Sequence, residues 1–206
     1  MQEAQDRPRS TRLPRQARRA QLLDSALEVF VAQGYHAAAM DDIADRAGVS
    51  KPVLYQHFPG KLELYLALLE QAVDTVIAAT HDALASTHDN KLRVQATMDA
   101  FFAYVAAPDG AFRLVFESDL TSDPRVRAQV DRVTDVCADD IAKVIREDTN
   151  LNEAEARIVA VSLVGMAHVS ARAWLAEGRS IPQEEAARLV ASLAWRGIRG
   201  FPLEQA

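Results

Sequence analysis

The residues best equipped for chemistry sit in the run Ile43-Ala44-Asp45-Arg46-Ala47-Gly48-Val49-Ser50-Lys51-Pro52-Val53-Leu54-Tyr55-Gln56-His57-Phe58. Within it, Lys51, Pro52, Tyr55 and Gln56 offer a cation, an apolar wedge, a phenol and an amide that both donates and accepts. Leu54 and Phe58 lie one helical turn apart and point together into a core, which leaves those four outward. Such a set suits contacts to phosphate and to base edges rather than the making and breaking of bonds. The chain has no G-x-S-x-G, no phosphate-binding G-x-x-x-x-G-K-[ST] loop and no H-E-x-x-H. Its one cysteine, Cys137, has no evident histidine partner and excludes an internal disulfide or a zinc cluster. His81, His88 and Asp89 have an ordinary spacing near a helix end, so no metal, no cofactor and no enzymatic activity are expected.

The elements that must hold those side chains follow from glycine and cap positions. Pro14 suits a helix start, and Leu22, Leu23, Ala26, Leu27, Phe30 and Val31 recur at helical spacing until Gly34. Met40, Ile43, Ala44 and Ala47 form one face of a short second helix. Gly48 breaks it, since glycine alone takes positive φ without steric cost. Ser50 is a natural N-cap for a third short helix with Pro52 in its first turn, and Pro59-Gly60 ends that helix. The sequence is thus helix, glycine turn, capped helix: a helix-turn-helix, whose second helix is built to enter a major groove.

The same string resembles the signature of the TetR family of bacterial transcriptional regulators. The matching residues are Ile43-Ala44, Ala47-Gly48-Val49-Ser50, Leu54-Tyr55, His57-Phe58 and Lys61 at the family spacing, with Ala26-Leu27, Phe30 and Gly34-Tyr35 upstream. The resemblance covers about residues 15–65. It implies that Lys51, Pro52, Tyr55 and Gln56 sit in the major groove or at its rim, and that Val53, Tyr55, His57 and Lys61 lie near phosphates. Met40 and Asp41, at the start of the second helix, would approach the DNA backbone. One departure is visible: Ala38 and Ala39 stand where family members often carry a hydroxyl that caps this helix, and loss of such a cap costs about 1 kcal/mol. Tyr55 and His57 also suit plain packing at the edge of a small core.

Charge divides the chain in the same place. Residues 1–20 carry Arg7, Arg9, Arg12, Arg15, Arg18 and Arg19 against Glu3 and Asp6. Residues 1–61 hold nine basic and seven acidic side chains, residues 62–206 fourteen and twenty-two, within an overall charge of −6. A small basic part that meets phosphate and a larger acidic part that does not is the expectation, with phosphate contacts from Arg15, Arg18 or Arg19.

Beyond Gly60 the pattern predicts helices over Lys61–Ser86, Asn90–Ala107, Ala111–Leu120, from Ser122-Asp123-Pro124 to Glu147, over Glu153–Glu177 after Asn152 with a capping box at Glu155, and over Gln183–Ile198. The whole reads as all-α: a disordered basic arm (1–13), a three-helix helix-turn-helix DNA-binding domain (14–60), and a larger helical ligand-binding and dimerisation domain (61–206). No apolar leader precedes residue 20, and the apolar stretch Ile158–Leu175 carries Arg172 and reads as a buried helix, so a cytoplasmic protein with no membrane partner is expected.

Helix 153–177 is apolar nearly all round. With Gly165, Ala167, Ser170, Ala171 and Trp174 it suits close approach of another helix, joined by the stripe Leu189, Val190, Leu193, Ala194 and Ile198 of the last helix. A homodimer interface is the expectation, which would let a two-fold protein read a palindromic operator in double-stranded DNA. The same stripes also suit internal core. Met98, Phe101, Phe102, Tyr104, Phe112 and Phe116 form the densest aromatic cluster, where the resemblance implies an effector pocket for a small lipophilic molecule, with Glu117, Asp119, His168 and Arg172 as further polar candidates. Plain packing accounts for the same residues. The resulting expectation is a repressor released from its operator when the effector moves the helix that starts near Lys61, with a ligand-independent regulator as the alternative.

Overall fold

The computed structural model describes residues 13–118, 120 and 122–198, so Arg7, Arg9, Arg12 and Asp119 lie outside the described residues. Those residues form nine α-helices and no β-strand: α1 (Arg15–Ala37), α2 (Met40–Arg46), α3 (Lys51–His57), α4 (Lys61–Ala85), α5 (Asn90–Ala106), α6 (Phe112–Phe116), α7 (Pro124–Asp148), α8 (Glu153–Ala176) and α9 (Gln183–Ile198). The all-α expectation is met, and most helix bounds lie within a residue or two of the sequence pattern. The exception is α6, which stops at Phe116 instead of reaching Leu120.

Helices α1, α2 and α3 close on a small solid core of Leu22, Ala26, Phe30, Ile43, Leu54 and Phe58, each 3% exposed or less. Gly34 (φ 76) breaks the regular path of α1, and Gly48 (φ 63) makes the turn between α2 and α3; an L side chain there would be strained. Gln21 reinforces that turn by donating from Nε2 to the Ala47 carbonyl at 2.9 Å. Ser50 takes the extended backbone of an N-cap, but its hydroxyl makes no cap bond, and Ala39 supplies none to α2. The fold of this head therefore rests on packing rather than on caps.

The remaining helices form a bundle in which α4 packs on α5 and α7, α7 lies along α8, and α5 lies along α9. The capping box at α8 is present: Asn152 accepts from the Glu155 N–H at 3.0 Å, and Glu155 accepts from the Asn152 N–H at 2.8 Å. One side of α8 is built of Ala156, Ala160, Ala167 and Ala171, which brings it close to its neighbours. Its other side leaves Ile158, Val161 and Val169 exposed, so within one chain only one face of this apolar helix has a partner. By length and composition α8 is apolar enough to cross a membrane.

Candidate nucleic-acid interface and interior cavity

On α3, Lys51, Pro52, Tyr55 and Gln56 are exposed, Val53 and His57 half-buried, and Leu54 fully buried. The 3.6-residue period thus places one face of a short helix on the core and the other in solvent. The Lys51 ammonium donates to the Asp41 carboxylate at 2.6 Å, an ion pair across the glycine turn that raises the lysine pKa. Beside the C-terminal end of α3 stand arginines of α1. Arg19 lies 4.4 Å over the Phe58 ring, and Arg18 donates to Gln21 at 2.7 Å. The His57 pKa is lowered, first by burial and then by the charges of Arg15, Arg19 and Arg18. Exposed cations, a phenol and an amide on a rigid helix can meet phosphate and base edges without rearranging the core.

Two expected contacts fall elsewhere. Met40 is 9% exposed and belongs to the core of the head with Ile43 and Ala44, while Asp41, like Asp42, stays outward. The Lys61 ammonium donates to the carbonyls of Tyr35 (2.8 Å), His36 (3.3 Å) and Ala38 (2.8 Å) and lies 4.5 Å over the Tyr35 ring. Its three N–H groups satisfy carbonyls at the end of α1, so the half-buried Lys61 ties α4 to the head.

Inside the bundle is a cavity of about 380 Å³ between α4, α5, α7 and α8. Of the expected pocket residues, Met98, Phe101, Phe116 and His168 line it. Phe102, Tyr104, Phe112, Glu117 and Arg172 do not, and those five are corrected. Phe102 packs against Trp174 (5.7 Å between rings), and Phe112 is buried beside Phe116. Tyr104 donates to the Ala72 carbonyl at 3.3 Å, and burial pushes its phenol up; Arg172 is exposed. Sequence reasoning missed the walls from α4 and α7, among them Thr80, Val133, Cys137, Ile141 and Ile145. The stripe Val126, Val130, Val133, Cys137, Ile141 was readable on α7 as a one-sided apolar face, though nothing in it separates a wall from a packed core. Burial raises the Cys137 thiol pKa, so it is an inert wall group.

The expected pairing residues also divide. Ala167, Ala171, Trp174 and Ala194 are buried within the chain, and Trp174 donates from Nε1 to the Ile181 carbonyl at 2.9 Å; these four serve internal core, a correction. Leu189 and Leu193 are exposed, Gly165, Ser170 and Val190 are half-buried, and the side chain of Ile198 lies outside the described ones.

A three-helix head with an outward-facing second helix of a helix-turn-helix, joined to a helical bundle that contains a cavity, is the build of a DNA-binding protein with a second helical domain. Comparison with known proteins specifies the class. Residues 22–68 match the family described as "Bacterial regulatory proteins, tetR family", and residues 90–197 match "Tetracyclin repressor-like, C-terminal domain". The chain is 48% identical over 195 residues to the HTH-type transcriptional activator FasR of Mycolicibacterium smegmatis, covering 95% of this chain and 89% of that protein. A TetR-like regulator from Rhodococcus sp. RHA1 superposes with a TM-score of 0.71 at 29% identity, over 92% of this chain and all of that one. The regulator FadR from Bacillus subtilis, solved in complex with stearoyl-CoA, superposes with a TM-score of 0.70 at 18% identity, over 85% and 96%. The chain belongs to the TetR family of DNA-binding transcriptional regulators and is not an enzyme.

Proposed function

We propose that this protein is a homodimeric, cytoplasmic regulator that reads a palindromic operator with Lys51, Pro52, Tyr55 and Gln56 and changes its affinity for DNA when an acyl chain enters the bundle cavity. The observation that carries this reading is the combination of an exposed polar face on α3 with a largely apolar cavity inside the helical bundle. Arg15, Arg18, Arg19 and His57 serve as phosphate contacts at the edge of the groove. The dimer forms through the exposed stripe Ile158, Val161 and Val169 of α8 with Leu189 and Leu193 of α9. A Cβ at Gly165 would meet nothing within 4 Å, so a partner helix has room to approach there. A protein partner fits this stripe better than lipid, because Arg157 and Arg172 flank it on the same helix.

An acyl chain fits the shape of the cavity. Its wall on α5 runs from Asn90 to Phe101, about 16 Å at 1.5 Å per residue. That length takes roughly a dozen methylenes in extended form at C–C bonds of about 1.5 Å. The FadR structure with stearoyl-CoA supports the same class of ligand.

The route from cavity to head is short. Phe116 lines the cavity; two residues on, Ser118 shares a hydrogen bond with Tyr65 at 2.8 Å, and the Tyr65 ring meets Phe30 and Tyr35 of α1 at 5.2 and 5.1 Å. The turn before α6 touches α1 directly, since a Cβ on Gly110 would come within 2.9 Å of Val31. A ligand that favours one placement of α6 therefore biases the spacing of the two reading helices. The family resemblance implies repression; the 48% identical relative is called an activator, and we propose activation for this chain. Selection of sites from random duplex DNA, titration of the best site with and without acyl esters, and transcription from a template carrying it test all three parts. A palindromic site, weakened or strengthened by the esters and raising transcription, is expected. Equal, weak binding to all DNA by protein extracted free of small molecules would sink the proposal.

A further inference from the structure

The cavity wall contains hydroxyl, amide and charged groups, and nearly all are already engaged. Thr80 Oγ1 donates to the Val76 carbonyl at 3.0 Å, and Thr97 Oγ1 to that of Arg93 at 2.8 Å. At the rim far from the head, Asn90 donates to the Asp148 carboxylate at 2.8 Å. The Arg93 guanidinium there is divided among the carbonyls of Leu84 and Thr87 and the side chains of Asn90 and Asp148.

His168 differs. Its Nε2 is buried without a hydrogen-bond partner, the one side-chain nitrogen or oxygen in that state among the described residues. It lies at the end of the cavity nearest the head, where its ring is 4.4 Å from that of Phe116 and Phe116 in turn meets Phe101 edge-on at 5.7 Å. Burial, and then Arg172, keep the imidazole neutral. A neutral ring offers either a donor or an acceptor at Nε2, according to tautomer. Buried polar atoms overwhelmingly have partners, and an aromatic floor of phenyl rings provides none. A cavity occupant with an oxygen atom would supply that partner.

We propose that His168 Nε2 anchors an oxygen atom of the effector, a carbonyl, carboxyl or hydroxyl oxygen seated beneath Phe116, and so selects oxygen-bearing chains over hydrocarbons of the same length. This rests on the cavity being the effector site. The anchored oxygen sits directly under α6, two residues from the Ser118–Tyr65 bond, so the group that confers selectivity also loads the element that reaches α1.

The test titrates the full-length protein with 1-decanol, methyl decanoate and decane, followed by tryptophan fluorescence because Trp195 lines the cavity. Wild type is expected to bind the two oxygenated probes about tenfold more tightly than decane. In His168→Phe, which fills the space without a polar atom, that preference disappears while decane still binds; His168→Gln retains part of it. The unsubstituted protein gives an independent readout: an imidazole ¹⁵N resonance shifts on adding decanol and stays in place with decane. A preference unchanged in His168→Phe, or an imidazole spectrum indifferent to decanol while fluorescence reports binding, overturns the anchor and leaves the cavity reading standing. No fluorescence response to any of the three probes overturns both.

Discussion

The three-helix head keeps its chemistry outside, whereas the bundle of α4–α9 turns its own inward. In the head, Lys51, Tyr55 and Gln56 project from a core whose largest members, Leu22, Ile43, Leu54 and Phe58, are sealed. In the bundle, the distinctive groups, His168, Phe116 and Cys137, surround a void of about 380 Å³. The contrast separates two tasks. A solid core fixes the relative positions of side chains that must match a rigid duplex, and an open one has alternative packings that a ligand can choose between. Lys61 joins the two, holding the end of α1 from the first residue of α4.

The largest expected effects concern that difference in packing. Leu54→Ala should destabilise the protein by about 2–5 kcal/mol, because the tight head cannot collapse around the lost methyl groups. Ile141→Ala removes a similar side chain from a wall that already borders empty space, and it should cost about 2 kcal/mol or less. Urea denaturation of both variants decides; equal losses would mean the bundle is as tightly filled as the head. Next in size come Lys51→Ala and Tyr55→Ala. Each should lower affinity for the selected operator roughly tenfold or more with the melting temperature unchanged, since both side chains are exposed and touch no core. Lys51→Ala should also reduce the salt slope by about 1 if the ammonium meets a phosphate.

The head was legible in the sequence because its constraints are local. Gly48, Ser50, Leu54 and Phe58 fix a turn and a buried face within a few residues, and everything left over points outward. Lys61 escaped the same reading. Its partners, the carbonyls of Tyr35, His36 and Ala38, are more than twenty residues away and leave no trace in side-chain types. The bundle was legible only as a set of helices. On α5, aromatic residues occur on several faces, and sequence does not tell which face meets a void: Phe101 faces the cavity, while its neighbour Phe102 meets Trp174. On α8 the small residues Ala167 and Ala171 were read as a surface for a partner chain and instead admit the chain's own neighbours. Close approach of helices looks the same in sequence whether the second helix is internal or not.

A smaller effect probes how the reading face is restrained. Asp41 is exposed and pairs with Lys51, so it holds the main cation of α3 and places a carboxylate where phosphate must come. Asp41→Asn should raise affinity for non-specific DNA roughly two- to fivefold and steepen its salt dependence, because a surface pair of this kind is weak and easily replaced. Fluorescence anisotropy on a scrambled duplex measures it. A fall in affinity would instead make Asp41 a positioning residue for Lys51.

The smallest effect separates the two regions by pH. His57 and His168 both have pKa values lowered below 6.5, His57 by burial and by Arg15, Arg19 and Arg18, His168 by burial and by Arg172. In each case the unfolded chain takes up a proton before the folded one as pH falls. The stability they contribute is therefore full above about pH 6.5 and declines below it, and His168→Phe should flatten part of that decline. DNA treats them differently. Phosphates brought to the edge of α3 offset the field of the three arginines and favour the imidazolium of His57, so the complex binds more protons than the free protein. Affinity for the operator should rise as pH falls from 8 to 6, over a range where folding stability begins to drop, and His57→Gln should remove that rise. His168 lies inside the bundle, out of reach of phosphate, so His168→Phe should leave the pH dependence of DNA binding intact while altering that of unfolding. If both variants changed both profiles, the head and the cavity would be one electrostatic unit, and the division of labour argued from their packing would not hold.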